Sequence, residues 1–568
     1  MKAGTVFSIH DIPFSYRGSW FDISPVVAEK TYADDLHLVS HQTGMHPVLR
    51  FVPLSGGRRA ETRVTATPAV LTWDADDDGR IALAYQDAGT VRVRGTGLGL
   101  RVEVAASRLT PFTGSYLLHD PVDGAYVLTS YETGRRYRIT VLTGTPAEVA
   151  GVGALGAADR HLTLPAGGVW EIAIEEYETA RPPYVISTSF DDTVGAVARR
   201  FQAFADAVAP WRDDTTPAAE LAAYVLWSAT VRPAGFLARP GVLMSKHWMD
   251  KIWSWDHCFN ALALAGGEPE LAWDQFQLPF DHQDPAGALP DSVTHSEVLH
   301  NFVKPPIHGW ALRRLREQLP LNQDQLLEGY GRLSAWTRFW LDHRRVPGHR
   351  LAHYQHGNDS GWDNATTFDG DRVLETGDLA AFLVLQLREL SALAAELGRP
   401  DEARQWRDGA GAMRAALLGE LWQDGRFVAR SAATGRPHES RSLLDLMPIV
   451  LGADLPPEIS AQLAARIAGH LTEHGLATEP VDSPGYAADG YWRGPIWAPA
   501  TVLIEDGLRR SGHVELADRI SRRFRALCEK SGFAENFDAE TGAGLRDRAY
   551  TWTASSYLLL AAASRPNG

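Results

Sequence analysis

The sequence predicts an α+β protein of two parts: an N-terminal β-sandwich over residues 1–185 and a closed helical barrel over residues 186–568. Three observations lead there. The first third alternates apolar and polar residues in short runs broken by Gly and Asp. The remainder carries about a dozen apolar stripes at helical spacing. The patterns change over at Arg181-Pro182-Pro183-Tyr184, where a proline pair fits an extended linker. A chain of 568 residues also exceeds one ordinary hydrophobic core.

Within the first part, Val91-Arg92-Val93-Arg94, Leu98 to Val104 and Val169 to Ile174 alternate as half-buried strands do. Tyr126 to Leu128 and Tyr137 to Leu142 flank Glu132-Thr133-Gly134, a hairpin signal. Asp74-Ala75-Asp76-Asp77-Asp78-Gly79 begins like a calcium loop, but Tyr85 stands where the closing Glu belongs, so it reads as a hairpin turn. Gly95-Thr96-Gly97-Leu98-Gly99 lies among hairpins and precedes no helix, which argues against nucleotide binding.

The second part predicts helices over 191–208, 217–231, 255–265, 306–317, 323–342, 378–397, 401–422, 440–451, 456–470, 495–510, 514–530 and 551–563. The stripe Leu379, Phe382, Leu383, Leu387, Leu390, Leu393 and Leu397 ends at Gly398, with Pro400 just beyond, a strong stop signal. No short repeat is present, which excludes helical-repeat arrays. Paired helices joined by unequal loops suit a closed barrel with its long loops collected at one end, where the chemistry is expected.

Composition narrows the function. A formal charge of −15 opposes a nucleic-acid or anionic-membrane partner. No apolar run is long enough to span a bilayer. The first residues lack the apolar core of a secretory signal, so a cytoplasmic location is expected. Cys258 and Cys528 sit in helical patterns and read as buried thiols, not a disulfide framework. With no H-E-x-x-H, C-x-x-C or G-x-S-x-G motif, neither a metal, a cofactor nor a serine nucleophile is expected. The chain has 18 Trp, and many of them lie in Gly- and Asp-rich loops, where aromatic rings make ligand platforms.

Five segments combine acids with aromatic rings. Trp253-Ser254-Trp255-Asp256-His257 sets an Asp beside two indoles. Lys304-Pro305-Pro306-Ile307-His308-Gly309-Trp310 enters a helix through a proline pair. Gly357-Asn358-Asp359-Ser360-Gly361-Trp362-Asp363-Asn364 holds two carboxylates around a Trp. Gly490-Tyr491-Trp492-Arg493-Gly494-Pro495-Ile496-Trp497 gathers three rings and an Arg before a helix. Phe533-Ala534-Glu535-Asn536-Phe537 encloses an acid between aromatics. A carboxyl beside an indole can protonate a glycosidic oxygen while the ring covers an apolar sugar face. From the residues alone, Asp359 and Asp363 compete for that role.

These segments, in this order over roughly residues 245 to 555, resemble the (α/α)6-barrel glycosidases of glycoside hydrolase family 63 and, more distantly, the trehalase-like enzymes of family 37. The resemblance implies an exo-acting inverting α-glycosidase on a small α-glucoside, either a disaccharide or a glucosylglycerate-like solute. Asp363 matches the family's general acid and Glu535 its general base, and such carboxyls stand about 6.5–9.5 Å apart. Trp255 and Asp256 match residues holding the terminal sugar; Trp492, Arg493 and Trp497 match its pocket wall. Trp253, Lys304, His308, Trp310, Trp362 and Tyr491 complete the candidate substrate contacts. His308 stands where relatives commonly carry Gln, which bears on substrate identity. The alternatives are a phosphorylase or lyase on the same barrel, or a non-catalytic carbohydrate-binding protein. A small carbohydrate is the expected partner, and the sequence assigns no oligomeric state.

Overall fold

The computed structural model describes residues 5–76, 78–105, 115–153, 157 and 159–564. Asp77 of the predicted turn, and the first four residues of the segment tested for a secretory signal, lie outside them. The chain forms two compact units. One comprises Met1–Ala207, Ala223–Lys251 and Thr294–Ser296; the other comprises Val208–Ala222, Ile252–Val293 and Glu297–Gly568.

The first unit is rich in strands. One antiparallel sheet orders its strands as Phe21–Ala28, Thr31–Ser40, His46–Ser55, Gly99–Val104, His161–Leu164 and Glu148–Ala150. A second runs Ser115–His119, Tyr126–Ser130, Arg135–Thr143, Val169–Tyr177, Thr90–Thr96, Arg80–Asp87, Leu71–Asp74 and Arg63–Ala66. Both predicted hairpins form, one across Asp74/Arg80 and one across Ser130/Arg135. The Gly-rich run is explained by packing: a Cβ at Gly95 would lie 2.1 Å from the Trp170 ring, and one at Gly99 would lie 2.6 Å from Leu164 O. Tyr85 of the second sheet donates to Phe21 O of the first at 3.0 Å, and the Phe51 and Trp73 rings meet at 6.4 Å.

Helices α1 (Phe190–Val208) and α2 (Ala219–Ala229) follow the strands. The helical unit then contains α3 (His257–Leu264), α4 (Pro269–Gln277), α5 (His308–Arg316), α6 (Gln323–His343), α7 (Gly377–Glu396), α8 (Pro400–Ala416), α9 (Pro457–His470), α10 (Ala498–Arg510), α11 (Val514–Ser531) and α12 (Thr551–Ala563). α3, α5, α7, the 3-10 segment Leu443–Asp454, α10 and α12 each contact the next, and α12 returns to α3, closing a ring of six. Ring members are buried nearly all round, as α10 is from Ala498 to Leu508, whereas α8 buries only a stripe of Ala403, Ala410, Met413 and Ala416. Glycine permits the close crossings. A Cβ at Gly309 of α5 would lie 2.3 Å from Gln386 Cα of α7. No helix among the described residues is long and apolar enough to cross a membrane.

Three sequence expectations change. The helix expected over 440–451 is a 3-10 segment, because Pro448 removes an amide donor and Gly452, at φ 60°, breaks the spiral. The helix expected over 401–422 ends at Ala416 and closes with the π turn Leu417–Leu421. α4, entered through Pro269, was not expected at all.

Candidate active site

Each of the five segments lies on the connection that leads into a ring helix. Trp255-Asp256 leads into α3, Lys304 into α5, residues 357–364 into the strand and helix at α7, Tyr491–Trp497 into α10, and Glu535 with its following turn into α12. The ring therefore gathers them at its N-terminal end, where helix dipoles favour anionic groups.

Three carboxyls come together there. Asp256 is buried, and burial pushes its carboxyl up to about 8, helped by repulsion from Asp291 and Asp363 and opposed by Lys304. Asp363, half-buried, is raised by burial and by Asp291, while Lys304 and His356 pull it down. No side chain of another described residue hydrogen-bonds its carboxyl. Glu535 is buried and pushed up to about 8, first by burial and then by Asp547, against Arg546 and the Tyr491 hydroxyl; Asp363 adds repulsion. Lys304 lies among the acids, 3.1 Å from Asp291 Oδ1 and 3.0 Å from Asn358 O. Burial works against its charge, but Asp363, Asp291 and Asp256 outweigh it and hold its proton more tightly than usual.

The indoles of these segments pack on one another. Trp492 and Trp497 stack with centroids 3.9 Å apart; Trp362 packs on Trp492 at 4.6 Å, and Trp552 meets Trp255 and Trp497 edge-on at 5.5 and 5.6 Å. The 357–364 loop rests directly on Trp255. A Cβ at Gly361, whose φ is +74°, would lie 2.5 Å from that indole, and one at Gly357 would lie 2.3 Å from Asp363 O. Tyr491 and Arg546 take positive φ values of 64° and 60° without being glycine, a strain of about 1–2 kcal/mol each of the kind that concentrates at functional sites.

Asp359 is engaged by its own loop and that loop's neighbours. Its buried carboxylate accepts from Val303 N at 3.2 Å, Gln355 N at 2.9 Å and Arg344 Nη1 at 2.8 Å, so it ties the loop down. Other expected contacts also fall elsewhere. His308 is buried against the edges of Phe280, Phe276 and Trp336, and its Nε2 donates to Ser254 O at 2.9 Å. Burial pushes it down to about 4, and it supports the Trp255-Asp256 turn from below. Trp310 donates from Nε1 to Asp506 at 2.9 Å and lines a cavity of about 420 Å³ with Arg313, Arg388 and Asp454, away from the three carboxyls. Arg493 pairs with Asp369 and donates from Nε to Asn364 O at 2.7 Å, bracing the loop behind Asp363. Trp253 is half-buried in a short strand paired with Ser292. Sequence reasoning missed Asp291, Arg546, Asp547 and Tyr550. Asp291 stands alone between Pro290 and a short strand, and Arg546 and Asp547 lie in a charged turn, none of them directly beside an aromatic residue. Tyr550, buried beside Glu535 and Asp256, stands just before α12 and two residues before Trp552.

The family model for the mannosylglycerate hydrolase MGH1-like glycoside hydrolase domain matches residues 249–553, more than half of the chain and all five segments. The chain belongs to this family. It is a glycoside hydrolase, as its resemblance to families 63 and 37 implies. Among curated relatives of this MGH1-like hydrolase, the mannosylglycerate hydrolase of Rubrobacter radiotolerans is 24% identical over 417 residues, 57% of this chain and 92% of the relative. The glucosylglycerate hydrolase of Mycolicibacterium hassiacum is 24% identical over 422 residues, 54% of this chain and 91% of the relative. A family 63 mannosylglycerate hydrolase from Thermus thermophilus, solved with Tris and D-glycerate, shares the fold: TM-score 0.52, 22% identity, 59% of this chain and 98% of that one.

Proposed function

We propose that this MGH1-like hydrolase is an exo-acting inverting α-glycosidase that cleaves a small α-glycoside of glycerate, either the glucosyl or the mannosyl compound. The fold we assign is a β-sandwich over 1–185 joined to an (α/α)6 barrel over 186–568. The closed ring of six helices and the two antiparallel sheets support it. The observation that carries the function is the meeting of Asp363, Glu535 and Asp256, each raised by burial, with Asp363 repelling both of the others, among loops that carry indoles. The glycerate aglycone rests on the two curated relatives named above.

In this reading Asp363 gives its proton to the glycosidic oxygen as the bond to the sugar breaks. Glu535 takes a proton from a water that attacks the anomeric carbon from the opposite face. Asp256 Oδ2 and Trp552 Nε1 are buried without hydrogen-bond partners among the described residues, and sugar hydroxyls would satisfy both. Trp255, Trp362, Trp492 and Trp497 shape the sugar's apolar surroundings, and Tyr491 orients Glu535.

The base must be ionised, yet burial pushes the Glu535 carboxyl up to about 8. The profile of kcat/KM, which reports the free enzyme, therefore rises towards mildly alkaline pH, while that of kcat rises at lower pH once a bound water donates to Glu535. Glu535→Gln and Asp363→Asn each lower kcat by at least about 100-fold while retaining sugar binding. The reading is wrong if Glu535→Gln keeps near-normal turnover, or if the wild-type kcat/KM limb lies near the ordinary carboxyl range.

A further inference from the structure

Arg546 stands beside the reacting groups without any role in the mechanism above. Its backbone takes a left-handed φ of 60°, and its side chain is mostly buried. The guanidinium makes three contacts in three directions. It lies 4.8 Å over the Tyr491 ring, Nη1 donates to Asn536 Oδ1 at 2.9 Å, and Nη2 pairs with the exposed carboxylate of Asp489 at 2.7 Å. Asn536 directly follows Glu535. Asp547, which directly follows Arg546, accepts the Glu535 N–H at 2.7 Å. The strand pair Asn536–Phe537 and Gly544–Leu545 thus forms an arch with Glu535 at one foot and Arg546 at the other.

We propose that Arg546 is a positioning residue for Glu535, clamping Tyr491 and Asn536 on either side of it so that its carboxyl faces the attacking water. The proposal rests on Glu535 being the base. A planar, multidentate cation suits this role, because it stacks on a ring and donates along two edges, which an ammonium cannot do together. The charged and titratable groups facing Glu535 are Asp547, Arg546, Tyr491, Asp363 and Tyr550, and Tyr550 in turn faces Asp256. Arg546 is the one cation among these named groups. The positive φ is consistent with placement taking precedence over backbone preference, since glycine would serve a turn there without strain.

Arg546→Gly and Arg546→Lys test this in the full chain, alongside Glu535→Gln. Glycine suits the left-handed backbone, so Arg546→Gly folds with an unfolding midpoint close to wild type while losing the clamp. The expected result is a fall in kcat of about tenfold or more with KM little changed, and a kcat/KM limb moved up by about one pH unit. Arg546→Lys keeps the charge and returns the limb most of the way, with kcat only partly restored. The proposal is overturned if the Arg546→Gly limb stays in place, or if Arg546→Lys shifts it as far as glycine does. Should Glu535→Gln remain active, the base assignment falls and the Arg546 proposal with it. Should Glu535→Gln be inactive while Arg546→Gly keeps the wild-type profile, only the Arg546 proposal falls.

Discussion

Asp359→Asn separates the two acids of the 357–364 loop. The Asp359 carboxylate accepts from two backbone amides and from Arg344, and it is buried. An amide in its place keeps one acceptor oxygen and turns an NH2 group towards a donor. It also discharges the partner of Arg344, whose side chain is 13% exposed. A hydrogen bond to a charged group contributes about 1.5–3 kcal/mol, and a buried donor left unsatisfied costs about 1–3 kcal/mol. Arg344 keeps some solvent and the faces of Phe339 and Trp340, so the net loss is about 3 kcal/mol. In a protein of this size that lowers the unfolding midpoint by a few degrees. The folded fraction keeps substantial turnover, because this carboxylate is committed to the loop and the proposed acid is Asp363. Asp363→Asn behaves oppositely, with the midpoint held and kcat down by about 10²–10⁴. Thermal unfolding and initial rates on glucosylglycerate and mannosylglycerate read both effects on the same samples. An Asp359→Asn enzyme as inactive as Asp363→Asn, with an unchanged midpoint, refutes the reasoning and returns the acid role to Asp359.

Gly361→Ala drives a methyl into Trp255 at a positive φ, so it costs about 1–3 kcal/mol from overpacking and raises KM as the indole shifts; unfolding and Michaelis kinetics check it. Stability also falls as pH rises. Asp256 and Glu535, both pushed up to about 8, and Asp445, up to about 7, have folded values above their unfolded ones. The stability they contribute is complete below their unfolded values near pH 4 and is lost as pH climbs through 7 to 8, on the order of 1 kcal/mol per pH unit per group in that window. Unfolding midpoints between pH 5 and 9 should therefore decline, and Glu535→Gln should flatten the slope.

The sequence displayed most of the helical unit because ring helices carry unbroken apolar stripes and end at Gly or Pro, as at Gly398. It concealed the 3-10 segment because Leu443 to Leu451 is equally apolar in either spiral, and a single Pro decides between them. The acids of the site were legible because Asp363 and Glu535 stand next to aromatic residues in non-periodic loops. Direction was not legible. His308 and Trp310 share a segment with Lys304, and Arg493 shares one with Tyr491, but they point respectively into the aromatic core, to Asp506 and to Asp369. Arg546 and Asp291 were hidden for the converse reason: a charge in a short turn looks the same in sequence whether it is solvated or folded back onto a buried acid.

The most direct test of the account is the configuration of the sugar at the moment of release. Proton NMR, recorded within the first minutes of hydrolysis of an α-linked glycerate glycoside, should show the β-anomer first and the α-anomer only later by mutarotation. An α-anomer appearing first would contradict inversion by Asp363 and Glu535 and require a glycosyl-enzyme intermediate instead.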